Sequence, residues 1–274
     1  MIEKRLRKLG ILGVISLLSY TAMVVFSPLA YPGYDWLSMA VSDLSAEGAP
    51  SAELACQLNA LFGPCGLVSI MAVCVSVAAC KSKVLKTGVY FFTAMEWICN
   101  VGYNLFPWVS DAPVSNPQNV MHLVVTVLVV VLSLASLVLI AIGAKKEQIN
   151  SLSIWAIVCL VAMIIGPIGT SLLPKAVFGL FERFSTFSAV VFNAVLGIYL
   201  AASFILLLYT LQWKPFVYGI FGGVFVGAIG IGYKQDKLLE LHKQMGVVQT
   251  MIISIIAFVL FFMSMALAAP DLKW

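Results

Sequence analysis

Long apolar segments, separated by short polar stretches, run through the whole chain and limit the folds that it can adopt. A helix needs about 20 mainly apolar residues to cross the hydrocarbon core of a bilayer. Only 10% of the 274 residues are charged and 62% are hydrophobic, whereas a soluble domain carries about 25% charged residues. So few charges cannot cover a water-facing surface. The pattern therefore predicts an all-α fold, a polytopic membrane helix bundle.

Eight apolar segments are predicted to be helices. They cover about Ile11–Leu29, Ala55–Ala79, Thr87–Phe106, Gln118–Ala144, Ser151–Leu173, Phe184–Leu211, Phe216–Tyr233 and Val247–Ala269. The first six give a predicted six-helix core, residues 1–211, and the last two a C-terminal hairpin, residues 212–274. The seventh segment is short and rich in glycine, so re-entry into the membrane is the alternative to a full crossing.

The cations predict the orientation, because Lys and Arg accumulate on the cytoplasmic side of membrane proteins. With a cytoplasmic N-terminus, eleven of the sixteen cations lie inside: Lys4, Arg5, Arg7, Lys8, Lys81, Lys83, Lys86, Lys145, Lys146, Lys214 and Lys273. The outer segments then carry Lys175, Arg183, Lys234, Lys237 and Lys243. We expect a multi-pass protein of the cell membrane whose main partner is the lipid bilayer, with no nucleic-acid partner.

The first loop, Tyr31–Leu54, concentrates acidic side chains at one predicted end of the bundle. It contains no Lys or Arg and four of the twelve acidic residues, namely Asp35, Asp43, Glu47 and Glu53. Tyr31, Tyr34 and Trp36 at its start belong to the residue types that favour the membrane–water interface, and we expect them to anchor the loop there. Asp43 is predicted to face inward as a base or ligand. Solvation and helix capping are the alternative roles for these acids.

Three strings in the chain resemble a bacterial membrane family catalogued as domain of unknown function 998. They are SDLSAEGAP at Ser42–Pro50, LFP at Leu105–Pro107 followed by His122, and GLFER at Gly179–Arg183. The resemblance covers roughly residues 12–211 and implies about six helices. Members often carry a Trp inside the sixth helix, where this chain has Phe192. The family supplies no activity, and the last two segments lie outside its pattern.

Glu96 lies near the middle of the third segment, where a charged carboxylate costs about 3 kcal/mol or more. At 100° per residue, Asn100 and Tyr103 lie on the same stripe of that helix as Glu96. In the sixth segment, Thr186 and Asn193 similarly follow Glu182. Two such stripes on facing helices predict a polar interior in the outer half of the bundle. Hydrogen bonding that only holds the helices together is the alternative role.

Four further polar residues fall at the same predicted end of the helices: Asp111, His122, Glu182 and Arg183. The predicted site uses Asp43, His122 and Glu182 as catalytic groups, because a carboxylate or imidazole can move protons. Arg183, Asp111, Glu96, Asn100 and Tyr103 are predicted to bind the substrate. We expect Arg183 to meet a loop acid, Asp43, or else a lipid phosphate, since a guanidinium binds either in a bidentate way.

No cofactor and no metal ion is predicted. The chain has no HExxH, CxxC, GxGxxG or Walker motif, and its six cysteines fall within or at the ends of apolar segments. Gly219, Gly223 and Gly227 form consecutive GxxxG steps that permit close helix packing, either inside the bundle or between two copies.

Two classes of function stay open on the sequence. The protein acts on or binds a lipid or lipid-linked group at its outer face, or it is a small-molecule or proton-coupled transporter that uses Glu96. A bound lipid would favour the first function, and uptake that depends on Glu96 would favour the second. The sequence does not decide whether the protein is an enzyme.

Overall fold

A computed structural model describes residues 2–109 and 112–209, and the side chains within residues 6–109 and 112–201. Within those residues the regular structure is helical throughout. The helices are α1 Ile2–Leu9, α2 Ile11–Phe26, α3 Ala52–Asn59, α4 Phe62–Val77, α5 Lys83–Leu105, α6 Pro117–Lys146, α7 Asn150–Leu172 and α8 Phe178–Tyr209. Short 3₁₀ turns cover Ser27–Ala30, Ser42–Leu44 and Lys175–Val177.

Five helical stretches in the described part of the chain are long and apolar enough to cross a membrane. They are Leu6–Ala30, Ala52–Val77, Pro117–Lys146, Asn150–Leu172 and Lys175–Ala201. The prediction of an all-helical, multi-pass membrane protein is confirmed at that level. The predicted C-terminal hairpin, with Gly219, Gly223 and Gly227, lies outside the described residues.

The second predicted segment is divided into α3 and α4 near Ala60. Pro64 lies in the first turn of α4, where it needs no backbone donor, but its ring would clash with the carbonyl of Ala60 in a continuous helix. Ser19 on α2 occupies the break, since its hydroxyl donates to the Leu58 carbonyl at 2.6 Å and accepts from the Leu61 N–H at 3.3 Å. A side chain of α2 thus satisfies backbone groups at the break between α3 and α4.

The other helix ends follow local sequence signals. Ser82 accepts a hydrogen bond from the Leu85 N–H at the start of α5, and Asn116 caps α6 ahead of Pro117. Side-chain oxygens at such N-caps satisfy the free amides of the first turn. Helix α8 begins at Phe178, six residues before the predicted Phe184, because a 3₁₀ turn leads into it directly after Pro174.

Helix α8 is the most enclosed of the candidate spans. It is buried over 61% of its apolar window, whereas the other four are buried over 28–44%. Its backbone meets the start of α2 where Gly197 faces Gly10, and a Cβ at either position would collide with the carbonyl oxygen of the other. Its Ser188 hydroxyl donates to the Cys159 carbonyl of α7 at 2.6 Å. Side chains on α8 are therefore positioned from several sides at once.

Candidate functional site

The first loop folds around a buried tyrosine at one end of the bundle, which we call the loop end. Tyr34 is only 5% exposed, and its hydroxyl donates to the Ala40 carbonyl at 2.8 Å. Asp35 accepts from the Leu37 N–H at 3.1 Å and from the Ser38 hydroxyl at 2.6 Å. Tyr34 thus lies inside the protein, contrary to the expectation that it anchors the loop at the membrane surface.

Asp43 also organises the loop. Its carboxylate accepts a hydrogen bond from the Ala40 N–H at 2.8 Å, three residues earlier, at the 3₁₀ turn Ser42–Leu44. The side chain is half-buried. At the far end of the loop, the Ser51 hydroxyl donates to the Leu44 carbonyl at 2.7 Å and makes no cap bond to α3.

Arg183 on α8 joins the helix to the first loop. Its Nη1 donates to the carbonyls of Trp36 at 2.8 Å and Met39 at 3.2 Å, and to the Gly179 carbonyl of its own helix at 2.6 Å. Its Nη2 donates to the Tyr34 hydroxyl at 2.6 Å. The guanidinium carbon also lies 5.8 Å from the centre of the Trp36 ring, within cation–π range. Neutral oxygen atoms thus take the place of Asp43, the predicted partner.

Glu182 binds the same loop from the neighbouring position on α8. Its Oε2 accepts a hydrogen bond from the Val41 N–H at 2.7 Å. The Leu180 N–H, in the first turn of α8, donates to the Leu37 carbonyl at 3.0 Å. Gly179 lies against the loop so closely that a Cβ there would collide with the Met39 carbonyl. The loop end is thus one hydrogen-bonded unit made of the first loop and the start of α8.

The charges of this unit act on one another. Burial raises the pKa of Tyr34 to about 12; the nearby Arg183 opposes that rise, and Glu182 and Asp43 add to it. Glu182 interacts electrostatically with both Arg183 and Asp43. The first loop supplies Asp35, Asp43, Glu47 and Glu53 and the start of α8 supplies Glu182, so acidic side chains outnumber the one guanidinium of this unit, Arg183.

His122 lies in a separate aromatic cluster near the start of α6. Its Nδ1 is 2.8 Å from the Phe106 carbonyl, which can only accept, so Nδ1 carries the proton. Its ring centre lies 5.0 Å from that of Tyr103 and 5.6 Å from that of Trp108. Tyr103 interacts electrostatically with Glu182 and thereby connects the cluster to the loop end. Asp111 lies outside the described residues.

The two predicted polar stripes do come together inside the bundle. Glu96 on α5 is 4% exposed, and the Nδ2 atom of Asn100 is 3.4 Å from its Oε2. Asn193 on α8 is 3% exposed, and its amide interacts with the Glu96 carboxyl. Asn193 and Tyr34 take a larger part in this geometry than the sequence predicts for them. The signals that could have found them are the 3.6-residue period on α8 and a tyrosine beside a glycine turn.

The described residues hold no group of three or more His, Cys, Asp or Glu side chains that could bind a metal ion. Asp43, Glu182 and Arg183 form one unit, His122 lies with Tyr103, and Glu96 lies with Asn100 and Asn193. The structure therefore divides the predicted site into three polar groups.

The comparisons with known proteins identify a family and no activity. Residues 14–199 match the family described as protein of unknown function, DUF998. No curated protein and no solved structure matches the chain. The matched range contains the first loop, the His122 cluster, Glu96 and the Glu182–Arg183 pair. Because it covers more than half of the 274 residues, the chain belongs to the DUF998 family.

Proposed function

We propose that the protein is a six-helix protein of the cell membrane, with a cytoplasmic N-terminus and the loop end facing outward. Helix α5 supplies the sixth crossing, since its 23 residues span about 34 Å at about 1.5 Å per residue. Its lower hydropathy comes from Lys83 and Lys86 in its first turn and from the buried Glu96. Lysines at a helix end can extend to the membrane surface. The distribution of cations supports this orientation.

We infer further that the loop end binds a lipid or lipid-linked molecule through a positively charged group. The observation that carries this proposal is the set of hydrogen bonds that Arg183 makes. Four hydrogen bonds commit its guanidinium to the first loop and α8, so it holds the loop in place and does not serve as a phosphate clamp. Glu182 and Asp43 each accept one backbone hydrogen bond, from Val41 and Ala40, and a carboxylate can accept several more. Their free acceptor sites favour a cation such as an ammonium group.

An enzymatic role for Asp43, His122 and Glu182 stays a prediction. A neutral imidazole that donates from Nδ1 keeps a basic lone pair on Nε2, which is the state that a general base requires. Transport is the second candidate, and the interaction of the buried Glu96 with Asn100 and Asn193 favours it.

Thermal unfolding in lipid–detergent micelles tests the proposed binding. We expect phosphatidylethanolamine, which carries an ammonium group, to raise Tm more than an equal fraction of phosphatidylglycerol, which has none. Glu182→Gln should lose that difference, because it removes the charge but keeps an oxygen acceptor for Val41. Glu53→Gln is the matched control, since Glu53 is exposed on α3, and it should keep the difference. Equal responses to both lipids, or an unchanged response in Glu182→Gln, would contradict the proposal.

A further inference from the structure

The interior of the bundle contains a carboxyl group with no cation beside it in the described part of the chain. Glu96 is 4% exposed, and the groups that act on its carboxyl are the amides of Asn100 and Asn193. An ionised carboxylate at such a position costs at least about 3 kcal/mol without a partner of opposite charge. A neutral carboxylic acid avoids most of that cost.

Asn193 has a buried polar atom without a hydrogen-bond partner. Its Nδ2 donates to the Gly66 carbonyl of α4 at 3.4 Å, but its Oδ1 is buried and has no hydrogen-bond partner. A buried carbonyl without a donor costs about 1–3 kcal/mol. The cluster thus has more acceptors than donors, and one additional hydrogen would correct the imbalance.

We propose that Glu96 and Asn193 form a proton-binding site inside the bundle, in which the Glu96 hydroxyl donates to Oδ1 of Asn193. The ionised and protonated states differ by a half-turn of the Asn193 amide. When Glu96 is ionised, the amide nitrogen faces the carboxylate. When it is protonated, the amide oxygen accepts its hydrogen. The proton comes from water and returns to water, and no other bond changes.

Within the described part of the chain, the neighbours of the pair on α2, α4 and α5 are uncharged groups. Helix α4 contributes the Gly66 carbonyl, and α2 contributes the Ser16 hydroxyl, which lies beside Gly66. On α5 itself, Asn100 and the titratable Cys99 thiol are the neighbours of Glu96. Nothing charged among these groups competes for the proton.

Electrostatic contacts lead from this pair toward the loop end. Cys99 interacts with Glu96 and with Tyr103, and Tyr103 in turn interacts with Glu182. Tyr20 on α2 makes a similar connection, because it interacts electrostatically with both Cys99 and Glu182. Glu96 and Glu182 are thus connected through three polar neighbours, Cys99, Tyr103 and Tyr20. The site uses residues other than those that we assign to ligand binding, so either proposal can fail alone.

Infrared difference spectroscopy of the purified protein tests the site directly. We expect a protonated-carboxyl band at neutral pH that shifts in D₂O and disappears in Glu96→Gln. Glu182→Gln is the control and should retain the band. Asn193→Ala should shift its frequency, because the acid loses its acceptor. Absence of the band from the wild type, or its persistence in Glu96→Gln, would overturn the proposal.

Two further measurements distinguish a bound proton from an ionised carboxylate and from a bound metal cation. Glu96→Gln should fold with a wild-type Tm, because an amide closely mimics a neutral carboxylic acid. A large fall in Tm would show that Glu96 is ionised in the folded protein. The spectra should be the same in sodium chloride and choline chloride. A band that sodium removes would assign the site to a metal cation and contradict the assignment to a proton.

Discussion

The loop end and the interior of the bundle handle charge in opposite ways. At the loop end, the guanidinium of Arg183 donates hydrogen bonds to neutral oxygen atoms of the first loop and α8, and charge-assisted hydrogen bonds are about twice as strong as neutral ones. In the interior, the carboxyl of Glu96 interacts with the amides of Asn100 and Asn193, and one nearby acceptor, Asn193 Oδ1, is unsatisfied. The comparison indicates that charge at the loop end holds structure in place, whereas the interior group can change its protonation state.

The first test concerns the orientation that places the loop end outside, and its expected outcome is all-or-none. In a background without native thiols, Ser115→Cys beyond α5 should react with an impermeant thiol reagent added to intact cells. Ser82→Cys, at the other end of α5, should not react until the cells are opened. The opposite labelling pattern would reverse the orientation and put the acidic first loop in the cytoplasm.

Arg183→Ala should produce the largest loss of stability at the loop end. It removes hydrogen bonds to Trp36, Met39 and Tyr34, and the loss of hydrogen bonds to a charged group costs about 2–4 kcal/mol in total. We expect a lower Tm in detergent and faster cleavage of the first loop by a protease of broad specificity.

Lys175→Ala is the control for that variant. Lys175 is exposed in the 3₁₀ turn just before α8, so its removal changes net charge equally but leaves the loop contacts intact. If both variants lower Tm equally, the loss of one positive charge explains the effect, and the hydrogen bonds from Arg183 to the first loop do not.

Two Gly→Ala substitutions compare the loop end with the interior, because each adds the same methyl group. A Cβ at Gly179 would collide with the Met39 carbonyl, which is backbone, whereas a Cβ at Gly66 would lie 2.9 Å from the Ser16 hydroxyl. Overpacking costs about 1–3 kcal/mol when the neighbour cannot move. Gly179→Ala should therefore lower Tm clearly, and Gly66→Ala less, because a hydroxyl can rotate. A larger effect at Gly66 would show that the interior cluster is the more rigid region.

The helices were predictable because their signal is long and apolar. Five of the six core segments coincide with candidate spans. Helix α6 begins at Pro117, next to the predicted Gln118, whereas α5 begins at Lys83, four residues before the predicted Thr87, because Ser82 caps it. The break between α3 and α4 was missed, since it depends on Ser19 from another helix as well as on Pro64. The start of α8 was placed too late because the 3₁₀ turn after Pro174 has no strong signature.

The residues of the site were easier to predict than the contacts that they make. Helical periodicity brought Glu96 and Asn193 onto facing stripes, and their interaction follows from that geometry. The partner of Arg183 was not predictable, because backbone carbonyls have no signature in the sequence. Charge pairing suggested Asp43, whereas the loop offers Arg183 main-chain oxygens and uses Asp43 for its own turn. A search for opposite charges thus misses cations that are bound by main chain.

The smallest expected effect is the change in stability with pH that Tyr34 causes above about pH 10. The pKa of Tyr34 is about 12 in the folded protein, against an ordinary value of 10.0. A raised folded-state pKa means that the folded protein keeps this proton after the unfolded chain has lost it. The contribution is fully present below about pH 10 and is lost as the pH rises toward about 12. Tm should therefore fall less steeply over this range in Tyr34→Phe than in the wild type, although the variant starts lower because it loses the bonds to Arg183 and Ala40. Tyr31→Phe should keep the wild-type slope, since no hydrogen bond from its hydroxyl supports the loop end in the described structure. Parallel slopes in the wild type and Tyr34→Phe would mean that the Tyr34 hydroxyl is open to water and that the loop end is less closed than the hydrogen bonds of Arg183 imply.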